Sequence, residues 1–157
     1  MAAIGKCVVA GLALALLLDA QVVRIPPSET GRNSPGVFTI NWEPQGREVV
    51  GLQWDFVIPY ALVVQSADIV LAKGAASAGK TITCAVAAKQ ESSARYRCVL
   101  VGNAQRLPNG PIVLVTYHAG EDVHGAPIRV SMENVLGVAA DLQRVTIPPI
   151  AAVIRIR

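Results

Sequence analysis

The sequence predicts an all-β protein, an antiparallel β-sandwich, and three observations carry that expectation. From Val37 onward apolar residues recur with period two, most clearly where Leu52, Trp54, Phe56 and Ile58 alternate with Gln53 and Asp55. Turn-forming clusters punctuate the chain at near-regular spacing: Asn33-Ser34-Pro35-Gly36, Pro44-Gln45-Gly46, Pro108-Asn109-Gly110-Pro111, His124-Gly125 and Pro148-Pro149. Two cysteines, Cys84 and Cys98, sit in β-like runs on either side of a polar turn. Short strands divided this densely favour a sandwich over an alternating α/β sheet.

The elements follow in order. Met1 to Ala20 carries one positive charge, Lys6, then an apolar run from Cys7 to Leu18, then Asp19-Ala20-Gln21. That is the layout of a secretory signal, residues 1–20, cleaved after Ala20. The run is shorter than the roughly 20 apolar residues that span a bilayer, so no stable membrane span is expected after cleavage. Leu18 occupies a position where a small residue is preferred, which keeps an uncleaved anchor or a buried helix as the alternative. Cys7 precedes the apolar run, whereas a lipid-bearing cysteine would follow it.

Residues 21–157 form one domain, long enough for a real core. Pro26, Pro27, Gly31 and Pro35 mark a lead-in or edge strand. Strands are then expected at Val37 to Trp42, around Leu52 to Ile58, and at Ile82 to Val86, Tyr96 to Val101, Ile112 to Tyr117, Ile128 to Met132 and Val153 to Ile156, all rich in β-branched or aromatic residues. Tyr60 to Ala76 reads equally as a strand with an edge continuation or as a short amphipathic helix. The net charge is +3, from 14 Lys and Arg against 11 Asp and Glu. Both signs are interspersed without a basic block, so nucleic acid is not an expected partner.

Cys84 and Cys98 are the only cysteines after residue 20, and Lys89 to Arg95 between them is polar enough for an exposed hairpin tip. Behind an export signal the pair reads as a structural disulfide clamping the hairpin. A redox pair would want closer spacing, and a metal site would want further ligands.

Val50-Gly51-Leu52-Gln53-Trp54-Asp55-Phe56, Ala78-Gly79-Lys80, Cys84 and Cys98, Gly102-Asn103, Asn109-Gly110 before an apolar strand, and Ala139-Ala140-Asp141 together resemble a cohesin-type domain. The similarity is to secreted bacterial cohesin-like proteins with a cysteine pair in the middle hairpin. It covers Val22 to Arg157 and is strongest from Val49 to Val115. The resemblance implies a jelly-roll sandwich of about nine strands, related in fold to carbohydrate-binding modules. It also implies a module that binds dockerins of polysaccharide-degrading enzymes. No short signature of dockerin recognition can be placed on this chain, so ligand-binding residues remain unassigned.

Other stretches carry patterns associated with other chemistry. Gly74-Ala75-Ala76-Ser77-Ala78-Gly79-Lys80-Thr81 satisfies the phosphate-loop pattern, in which Lys80 would neutralise phosphate and Thr81 would hold magnesium. Such a loop must open a helix, yet Ile82-Thr83-Cys84-Ala85-Val86 fits period two. His118, Glu121, Asp122 and His124 offer metal-type ligands at no established spacing, so no metal is expected. Ser66, Ser77, Ser92, Ser93 and Ser131 lack a nucleophile-elbow context. Trp54 shares a face with Leu52 and Phe56 and belongs to the core; Trp42, Tyr60, Tyr96 and Tyr117 stay open as sugar-stacking candidates.

The expectation is therefore a secreted, periplasmic or cell-surface binding module, not an enzyme and without a cofactor. It would recognise a dockerin-type protein or a polysaccharide through a preformed sheet face that the disulfide supports. A phosphate-loop nucleotide-binding protein and an envelope or pilus-like subunit built by edge-strand addition are the alternatives.

Overall fold

A computed structural model describes residues 22–157 except 32, 33, 47, 121, 122, 124 and 126. The expected signal at residues 1–20 lies outside these. Among the described residues twelve strands form two facing sheets. One sheet contains β1 (Val22–Arg24), β3 (Gly36–Glu43) and β9 (Gly110–Ala119), with the short β5 (Leu62–Val63) and β6 (Ile69–Leu71) both laid on β9. The other runs β2 (Ser28–Thr30), β12 (Ile150–Ile156), β10 (Pro127–Ala139), β4 (Val49–Pro59), β8 (Ser93–Gly102) and β7 (Lys80–Lys89). A seventh strand, β11 (Arg144–Thr146), pairs with the far end of β10.

Among the described residues every pairing is antiparallel except β12 with β2, which sets Ser28 to Thr30 beside Ile154 to Ile156. The seven expected strands are all present, each longer than expected by two to eight residues. Val22 to Arg24 forms the anticipated edge strand against Asn41 to Glu43. The ambiguous stretch from Tyr60 to Ala76 is neither a single strand nor a single helix. It breaks into β5, a 3₁₀ turn at Ser66–Asp68, β6, and one short helix, α1 (Lys73–Ser77). Alternation cannot signal pieces of two to five residues, because each is shorter than the period it would need to display.

Period two converts directly into the core. Phe38, Ile40 and Trp42 of β3 face Leu52, Trp54, Phe56 and Ile58 of β4, all buried, and the Phe38 and Phe56 rings meet across the layer at 5.6 Å between centroids. Met132 and Phe56 are cross-strand partners on the same inward face. Burial of this contiguous apolar layer is the main stabilising term. Tyr117 closes one end, packed on Phe38 and 3.2 Å from the Ser28 hydroxyl. Among the described residues no helix is long and apolar enough to cross a membrane.

Candidate functional site

The outer face of the seven-stranded sheet carries two adjoining features, and strand register places both. Odd-numbered residues of β4 and β8 point outward, opposite the core-facing Trp54 and Cys98 pair. Asp55 is cross-strand to Arg97 on one side and to Glu133 on the other. Alternation placed Asp55 on the wet face. It does point outward, yet it is 2% exposed, because neighbouring side chains close over it.

Arg97 grips Asp55 with two bonds, Nε to Oδ1 at 2.8 Å and Nη2 to Oδ2 at 3.0 Å, the planar match between guanidinium and carboxylate. Arg95 Nη1 lies 3.5 Å from Oδ2 and 3.0 Å from a Glu133 carboxylate oxygen. Asn134 donates to Oδ2 at 2.9 Å. That last bond depends on a break in the β10–β4 register between Glu133 and Leu136, where Asn134 takes φ 51°. Left-handed backbone is uncommon outside glycine but tolerated by Asn, and the bulge re-aims its amide across the strand. The Arg97 hydrogen bonds hold the Asp55 carboxyl below its ordinary value against the opposing effect of burial, with further help from Asn134 and the Arg97 and Arg95 charges. A rigid polar bar thus ties β10, β4 and β8 together.

Beside the bar lies a shallow apolar depression of about 230 Å³, walled by Val99 and Val101 of β8 and by Leu136 and Val138 of β10. Its floor is Gly51, which pairs with Val138 and has no side chain to fill the space. Val101 is 49% exposed although apolar. Exposed apolar surface framed by fixed charge on a stiff sheet suits macromolecular contact rather than catalysis.

The disulfide supports this face from beneath. Cys84 and Cys98 are directly opposed in the β7–β8 ladder and bonded, with Cα atoms 4.1 Å apart. Cys98 is fully buried on the core side, so the bridge locks β7 to the strand carrying Arg97 and Val99.

The phosphate-loop reading fails on geometry. Gly74 lies in α1, Gly79 precedes a strand, and Lys80 opens β7 instead of a helix. Its ammonium is buried and donates to the carbonyl oxygens of Val50 at 2.9 Å, Asn103 at 2.8 Å, and Gln105. A lysine so enclosed is unavailable to phosphate; it straps the segment after β8 to β4. His118 is exposed at the end of β9, while its presumed companions Glu121, Asp122 and His124 lie outside the described residues. No cluster of three metal-type ligands occurs among the described residues. Of the seven aromatics only Tyr60 is exposed; Trp42, Trp54, Tyr96 and Tyr117 belong to the core.

Asp55 and Lys80 are the side chains whose roles depart furthest from the sequence reading, which sets Asp55 on a wet face and Lys80 in a phosphate-loop pattern. Each gains its role from partners 23 to 79 positions away.

No family model matches this chain, and no curated protein matches its sequence. Solved structures do match in shape. A cohesin module from a family 33 glycoside hydrolase of Clostridium perfringens superposes at a TM-score of 0.67 with 11% identity, over 88% of this chain and 96% of that one. A non-cellulosomal cohesin from the archaeon Archaeoglobus fulgidus gives the same score and identity, over 88% and 91%. So does the sixth cohesin of scaffoldin B from Acetivibrio cellulolyticus, solved in complex with a Cel5 dockerin, over 88% and 99%. The chain has the cohesin fold, as its sequence resemblance implied.

Proposed function

We propose that this protein is a non-catalytic binding module that recognises a dockerin-type protein partner through the outer face of its seven-stranded sheet. The observation that carries the reading is the apolar depression over Gly51, set beside the Asp55–Arg97 bar on the cohesin fold. The Acetivibrio relative in shape was crystallised with a dockerin, which supplies the partner class. A protein partner fits better than a polysaccharide, because six of seven aromatics are buried and no stacking platform remains on this face. The disulfide suits an oxidising compartment, and with the expected signal at residues 1–20 it supports an exported protein. Docking needs little backbone change, since the face is already rigid.

The test is capture from secreted proteins of the same cell by the purified domain, with a glycan array run in parallel. A partner should be retained by the parent and lost with Val101→Asp, which places a charge in the depression while leaving the core untouched. Silence in both assays, or retention that ignores Val101→Asp, would overturn the assignment. Glycan binding alone would move it to a polysaccharide.

A further inference from the structure

The two sheets end very differently. The strands at their other edges, β1, β2, β5 and β6, are two or three residues long. By contrast β7 spans ten residues and, among the described residues, pairs only with β8; β6, the 3₁₀ turn and α1 pack near it, but no strand hydrogen-bonds to its other edge. Natural sheets blunt long edges with charge or proline. Here Thr81 to Ala88 contains neither, its one irregularity is a bulge between Val86 and Ala88, and the residues around Val86, itself 46% exposed, are alanines.

The free backbone groups can be assigned. A Cα separation of 4.1 Å marks Cys84 and Cys98 as a pair whose N–H and C=O groups point away from each other. By alternation Ile82, Cys84 and Val86 present their donors and acceptors outward. Beside Val86 a cleft of about 220 Å³ opens between the sheets, walled by Val63 and floored by Ile58 and Tyr96. At about 30 Å³ per water it has room for about seven waters, enough for one large apolar side chain. Lys89 stands at its rim and forms no ion pair among the described residues.

We propose that β7 accepts an extended segment of a partner protein as an added strand, independently of the outer sheet face. The segment hydrogen-bonds to the free edge of Ile82, Cys84 and Val86. One apolar side chain enters the cleft, and a neighbouring carboxylate meets Lys89. Main-chain bonds supply affinity and the cleft supplies selectivity.

The test uses a blocked, fluorescein-labelled peptide of alternating sequence, Thr-Val-Thr-Leu-Thr-Asp-Thr, followed by anisotropy. Micromolar binding is expected, abolished when alternate residues of the peptide are N-methylated. Val63→Arg, which fills the cleft from an exposed position, and Lys89→Glu should each weaken it at least tenfold. Replacing the peptide Asp by Lys should restore binding to Lys89→Glu. Val86→Pro removes one outward donor and should also weaken binding; circular dichroism confirms that each variant is folded. No binding at millimolar peptide, or binding indifferent to Val63→Arg and Lys89→Glu, overturns the proposal. Concentration-dependent dimerisation that Val86→Pro abolishes would also overturn it, by assigning the edge to a second copy of the chain. The outer-face variant Val101→Asp should leave peptide binding unchanged, so the two sites fail separately.

Discussion

Replacing Lys80 by Met removes a buried ammonium and three donors while keeping most of the side-chain stem. The parent lysine is 4% exposed and serves the carbonyls of Val50, Asn103 and Gln105. Hydrogen bonds with one charged partner contribute about 1.5–3 kcal/mol each, so three give roughly 4.5–9 kcal/mol gross. Two offsets reduce that figure. Asn103 and Gln105 sit in an exposed segment, where water can take over their carbonyls. Burial of the ammonium also carries a penalty, visible as a Lys80 pKa pushed below its ordinary value. The remainder is largely the Val50 bond and its stranded acceptor, a net loss of about 3 kcal/mol. Guanidinium unfolding followed by fluorescence of the buried Trp42 and Trp54 measures it directly. Lys80→Arg should lie between parent and Met, because a planar fork cannot converge on three carbonyls as an ammonium does. A loss within about 0.5 kcal/mol, the range of an ordinary surface position, would refute the strap.

Reduction of the Cys84–Cys98 bridge, whose partners are 14 positions apart, should cost about 3 kcal/mol by loop-closure entropy; the Cys84→Ala, Cys98→Ala double variant should lose all dependence of its unfolding midpoint on reductant. Asp55→Asn should destabilise by about 2 kcal/mol at neutral pH, through loss of charge-assisted bonds to Arg97. Because the Asp55 pKa is lowered on folding, its contribution is complete above the unfolded value near about pH 4 and fades as pH falls through the folded value. Stability measured downward from about pH 5 should therefore drop less steeply in Asp55→Asn than in the parent, and parallel profiles would contradict the network. Gly102→Ala places a methyl group 2.2 Å from the Gly79 carbonyl oxygen across the β7–β8 ladder, so strand backbones must part. A loss of about 2 kcal/mol is expected from overpacking, and unchanged thermal unfolding would show that the ladder yields freely.

Most of the architecture was legible because its signals are local. Alternation from Leu52 to Ile58 identifies a strand with one buried face without any knowledge of what lies opposite. Proline and glycine clusters mark the turns, and the polar tip between Cys84 and Cys98 makes the cysteines a hairpin pair. The short strands β2, β5, β6 and β11 were not legible, since two or three residues carry too little pattern; they exist because neighbouring ladders offer them partners.

The candidate site divides along the same line. The sequence by itself determined the sandwich, the hairpin, the disulfide and the core role of Trp54, all consequences of residues close along the chain. Only the tertiary structure decided what Asp55 and Lys80 do. Alternation marks Asp55 as a solvated outward residue, and pairing of β4 with β8 and β10 buries it beneath Arg97, Arg95 and Asn134. The letters around Lys80 spell a phosphate loop, and the carbonyls of Val50, Asn103 and Gln105, 30, 23 and 25 positions away, claim its ammonium first. A charged side chain takes its role from the groups that replace its water, and in a sheet protein those groups arrive from distant strands.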